Sequence, residues 1–182
     1  METQTPLFFR VRQSFPRPRV DDLSGTVRGE LERLLASAPV APGAEIGVTV
    51  GSRGIRGIAT IARTVVDCLK QRGARPFVIP AMGSHGGATA EGQGKLIAHY
   101  GVTEEAMGCP VRAEMDTRSV GRTASGIDAR IAEAAWQSDG VLLLNRIKPH
   151  TDYKGPIESG LTKMCAIGLG KYDGARAIHP HL

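Results

Sequence analysis

Apolar residues recur along this chain in two rhythms, and the alternation between them predicts the order of elements. In residues 7–13 (LFFRVRQ) apolar and basic positions alternate from Phe9 to Arg12, the period of a half-buried strand. Residues 25–38 instead place Val27, Leu31, Leu34 and Leu35 on one helical face. The strand period returns at 45–51 (EIGVTVG). A helix is predicted over 57–73, closed by basic residues and Gly73. Residues 75–81 (RPFVIPA) predict the next strand, running into the loop MGSHGGA. Thr89 is placed to cap a helix over 90–101, which Gly92 and Gly94 weaken. Further along, 109–115 (CPVRAEM) predict a strand, 127–137 (IDARIAEAAWQ) a helix, and 140–147 (GVLLLNRI) the most apolar strand of all.

Strands alternating with helices define an α/β layered domain, a single one over residues 1–182, with a largely parallel or mixed central sheet flanked by helices. No internal repeat or low-complexity linker interrupts it. In such folds ligands sit beyond the carboxyl ends of the strands. Three predicted strands end there in polar groups: 45–51 leads to Ser52 and Arg53, 75–81 to His85, and 140–147 to His150.

Composition narrows the classes. With 41% apolar and 23% charged residues the chain has material for a core and is not of disordered type. Aromatics at 4% are too few for a stacking surface along single-stranded nucleic acid, so no nucleic-acid partner is expected. The net charge of +5 has its main excess in RVRQSFPRPR (10–19), and a small anionic ligand explains the basic bias. No apolar run approaches the roughly 18 residues of a membrane span, and the N-terminus lacks a signal-peptide core. The expectation is a cytoplasmic protein without a membrane partner. Cys68, Cys109 and Cys165, odd in number and without zinc spacing, read as reduced and mostly buried thiols.

The histidines differ in promise. His99 reads as a surface residue at a helix end, and His181 as part of a flexible terminus. His85, between glycines in GSHGGAT, has room for a ligand to approach its backbone, or it braces the loop by a hydrogen bond. His150 follows a proline that extends the chain at Lys148. Lys163 and His179 stand sixteen residues apart, about 24 Å along an unbroken helix, too far to share a small ligand. Gly168, Gly170 and Gly174 offer breaks, so the expectation is a helix over 157–168 carrying Lys163, then a turn, then a return with His179. A solvated lysine and an unrelated terminal histidine are the alternative.

Taken together, these motifs resemble the N-terminal domain of the nickel-pincer lactate racemase family of 2-hydroxyacid racemases and epimerases. The matching residues are Ser52-Arg53, Gly83-Ser84-His85, Pro149-His150, Ser159-Gly160-Leu161-Thr162-Lys163, Gly168 and His179, in order over residues 7–180. The resemblance implies a nickel-pincer nucleotide, a pyridinium mononucleotide with two sulfur donors, joined covalently to Lys163, with Ser52 and Arg53 among its contacts. His179 would be the protein ligand to nickel, whose preference for a soft square-planar set suits that arrangement. His85 and His150 would be acid and base on opposite faces of a 2-hydroxyacid. Inverting a carbinol carbon needs its proton handled from both sides by groups titrating near neutrality. The carbon-bound hydrogen needs a hydride-accepting cofactor.

The match has departures. Better-known members carry an aspartate where this chain has Val50, and the nearest acid is Glu45. The stretch TDYKGPIE after His150 is about three residues longer and adds Lys154 as a rival tether. Members also have a second, C-terminal domain that closes the cleft. The expectation is that residues 1–182 need such a domain, and cofactor-biosynthesis proteins, and alone turn over little or no substrate. Two other readings stand beside this one. One is a non-catalytic module binding a nucleotide or anionic metabolite. The other is metal-dependent hydrolysis by His85, His150 and His179, where the nearby acid Asp152 has no obvious partner.

Overall fold

The computed structural model describes residues 9–148, 155 and 158–181. Its centre is a three-stranded parallel sheet in the order β2-β1-β5, built from β1 (Glu45–Val50), β2 (Arg75–Pro80) and β5 (Gly140–Leu142). Five of the six residues in each of β1 and β2 are buried, as expected of parallel strands covered on both faces. The fold is therefore an α/β layered one, as the alternation predicts.

Helices cover one face. α1 (Leu23–Ser37) turns Leu31 and Leu35 onto Ile46, Val48 and α2 (Ile58–Gln71), which contributes Val65 and Leu69. α2 also packs Ile58, Ala62 and Val66 against Val50, Val78 and the helices α3 (Ala90–His99) and α4 (Glu104–Met107). α3 begins where the sequence places it: the Thr89 hydroxyl accepts from Gly92 N at 3.0 Å. No helix among the described residues is long and apolar enough to cross a membrane.

The other face is closed by an antiparallel hairpin, β3 (Thr117–Arg122) and β4 (Asp128–Ala132), by α5 (Glu133–Trp136), and by the C-terminal helical tail. Phe77 and Ile79 of the sheet meet Ala132, Ala135, Met164 and Leu169 there. The tail runs through α6 (Leu161–Lys163), a π-helical segment Met164–Leu169, α7 (Lys171–Ile178) and a final 3₁₀ turn His179–His181.

Four expectations are corrected. Residues 9–13 are not a strand: Phe9 is 83% and Val11 75% exposed, and alternation alone forms no strand without a ladder to join. The part of that stretch before residue 9 lies outside the described residues. The helix expected over 127–137 is β4 followed by one turn of helix. Its Ala- and Glu-rich composition favours helix, but Thr123 and Gly126 close a hairpin turn that pairs β4 with β3, and tertiary pairing overrides the propensity. The strand expected over 140–147 stops at Leu142, because the Thr49 hydroxyl, not a backbone carbonyl, takes the Leu144 N–H at 3.0 Å. Residues 109–115 give only one parallel bridge, Val78 to Val111. Cys68 and Cys109 are buried free thiols, whereas Cys165 is exposed.

Candidate functional site

Because the three strands run parallel, their carboxyl ends open on one edge of the sheet, and a cavity of about 240 Å³ lies there. After β1 the chain supplies Ser52 and Arg53, and after β2 it supplies His85. Beyond β5 come Asn145, Arg146 and Lys148, while the tail contributes Ser159, Lys163 and His179. The structure thus brings Ser52, Arg53, His85, Lys163 and His179 to one crevice. His150, Pro149, Asp152 and Lys154 lie outside the described residues.

The tail reaches this position differently from expectation. Its helix starts at Leu161, not at 157, and widens after Lys163 into the π-helical segment. The turn before α7 falls at Gly170, one of the expected breaks, and the residue that follows it, Lys171, takes a left-handed φ of 54°. Gly168 serves close packing instead: a Cβ there would stand 2.9 Å from Ala81 O, so the tail lies directly on the exit of β2. The Gly83 N–H donates to Gly168 O across the same contact. The glycine after His85 also has a protein neighbour. A Cβ on Gly86, at φ 67°, would meet Gln93 N at 2.7 Å, so the missing side chain admits α3 rather than a ligand.

His85 Nδ1 is 2.6 Å from Ser52 Oγ, and Ser52 O in turn accepts from the Tyr100 hydroxyl at 2.8 Å. His85 is exposed as a residue, and the groups around its imidazole desolvate it in part. That desolvation first, then the positive charges of Arg53, Lys163 and His179, lower its pKa below the usual imidazole range. That direction favours the neutral, proton-accepting form of His85. The half-buried Lys163 amine is shifted down as well, by burial and then by Lys148 and Arg53, which raises its neutral, nucleophilic fraction. Four cations line the cavity, and among the described lining residues there is no carboxylate. Such a lining attracts an anion.

Among the described residues no group of three or more His, Cys, Asp or Glu is placed to hold a metal. The described cavity offers a metal the imidazoles of His85 and His179. Val50 is fully buried in the core, so it makes no contact in the cavity. Glu45 cannot replace the family's aspartate. It begins β1, at the opposite end of the strand, where hydrogen bonds and charge from Arg112 lower its pKa.

Arg146, Lys148, Tyr100 and Gln93 were not read from the sequence as parts of a site. The first two follow the most apolar strand, which is the signal that marks them. Tyr100 and Gln93 sit in or after a helix and act through backbone carbonyls, for which spacing gives no sign. Ser159 Oγ clasps Lys148 by both its N–H and its carbonyl, holding the cationic edge to the tail. No protein-family model matches the chain, and no curated protein matches it.

Proposed function

We propose that this chain is the cofactor-bearing domain of a 2-hydroxyacid racemase or epimerase, with a nickel-pincer nucleotide attached at Lys163. One observation carries the reading. Lys163 and His179, from opposite ends of the tail, line the same cationic cavity as His85, Ser52 and Arg53. The residues fit the group in donor chemistry. Lys163 offers an amine with a lowered pKa for a covalent bond, and His179 offers one imidazole to a metal that brings its other donors with it. When bound, the group supplies a hydride acceptor for a carbon-bound hydrogen that side-chain bases are too weak to remove.

The chain's own residues do the rest. Arg53 and Lys148 draw the substrate carboxylate or the nucleotide phosphate into the cavity. Ser52 engages Nδ1 of His85, leaving Nε2 to take the hydroxyl proton and later return it. His85 handles one face only, so inversion needs a second group opposite, the role the resemblance gives His150. The four-cation lining equally supports a second reading, a module that binds an anionic nucleotide without turnover.

Intact-mass measurement separates the two. Protein produced together with the cofactor's biosynthetic proteins is expected to carry a covalent mass increment that Lys163→Ala abolishes. Wild-type protein that stays unmodified while still binding a mononucleotide would overturn the racemase reading and leave the binding module.

A further inference from the structure

Lys171 has no exposed surface, yet it carries an ammonium group and a left-handed backbone, with φ 54°. Gly170, immediately before it, could take such a conformation without steric cost. A non-glycine residue holds such a backbone only where its surroundings over-determine it, so the contacts of the buried side chain matter. Lys171 Nζ donates to Pro80 O, at the end of β2, at 2.8 Å and to Gln93 Oε1 at 3.1 Å. Gln93, also without exposed surface, donates from Nε2 to Gly83 O at 2.8 Å and to His85 O at 3.2 Å. An ammonium only donates, so it forces Gln93 to present its carbonyl oxygen and turns the amide N–H groups toward the His85 loop. The orientation of that amide is thus fixed from the tail. Neither Lys171 nor Gln93 lines the cavity.

We propose that Lys171 is a positioning residue: through the Gln93 amide it fixes the main chain of His85, and with it the His85–Ser52 pair. The tail that delivers Lys163 and His179 is thereby coupled to the loop that delivers His85, so the cavity assembles as a unit. Only the consequence for catalysis rests on the racemase reading; the coupling itself does not.

The test is NMR of the imidazole nitrogens and of amide exchange in the full 182-residue chain, with His85 assigned through His85→Gln. Lys171→Met removes the donor. Gln93→Glu keeps an acceptor for Lys171 but removes the N–H groups aimed at Gly83 and His85, and it decides alone if the first variant fails to fold. In each folded variant the His85 ring signals are expected to move, and its amide, bonded to Met82 O, to exchange at least tenfold faster. His99, at the far end of α3, should keep its signals. Unchanged His85 signals and exchange would overturn the proposal, as would equal shifts at every histidine, which mark general loosening. Neither result depends on turnover, so failure here is distinct from failure of the mass-increment experiment.

Discussion

The Lys171 amine ordinarily titrates near 10.5, and burial lowers it to about 8, with Glu114 opposing the shift. Between those two values the unfolded chain holds a proton that the folded chain has lost. Stability therefore rises with pH across that window, by up to about 3 kcal/mol from this group, and is flat below it. Urea unfolding of wild type against Lys171→Met from pH 7.5 to 11 should show wild type gaining over the variant, and parallel curves would remove the claim. At the cavity, Arg53 is the second cause, after desolvation, of the low His85 pKa. Arg53→Ala should raise that pKa toward the ordinary imidazole value, leaving more of His85 charged at pH 6 to 7. An NMR titration in which it stays put or falls contradicts this picture.

At the scale of elements, the contact between tail and sheet is the sensitive one. Gly168→Ala puts a methyl group 2.9 Å from a backbone carbonyl, which cannot move aside as a flexible side chain can. A loss of about 1–3 kcal/mol is expected, together with faster exchange of the Gly83 amide, which donates to Gly168 O. A stability within 0.5 kcal/mol of wild type, with roughly that margin typical of neutral surface changes, would show that the tail does not rest there. Elements with a local signal were legible. β1 announces itself by the alternation of Ile46, Val48 and Val50, β2 by the apolar Phe77-Val78-Ile79, and α3 by its Thr89 cap. β4 was not legible, because its residues suit a helix and only the partner strand β3 makes it otherwise.

For the whole molecule the decisive quantity is the positive charge that lines the cavity. Four cations face it without a described carboxylate, so inorganic phosphate should stabilise the protein. At ten times its Kd, phosphate adds about 1.4 kcal/mol, a rise in Tm of about 3–5 °C. The rise should persist against chloride at equal ionic strength and shrink in Arg53→Ala/Lys148→Ala. An equal rise in that double variant would place the anion elsewhere. This test bears on both functional readings, since a racemase cavity and a nucleotide-binding module each need an anion there.

By itself the sequence determined the layered α/β character, the strand ends that carry Ser52, Arg53 and His85, and the candidacy of Lys163 and His179. Each of these is written in residues close together along the chain, as period, cap or motif. Only the tertiary structure decided that these residues share one cavity, that residues 128–132 form a strand, and that Lys171 reaches carbonyl groups 78 and 91 positions away. The physical reason is range. Periodicity reports which face of a segment is apolar, but burial and hydrogen-bond partners are chosen by packing between segments distant in sequence.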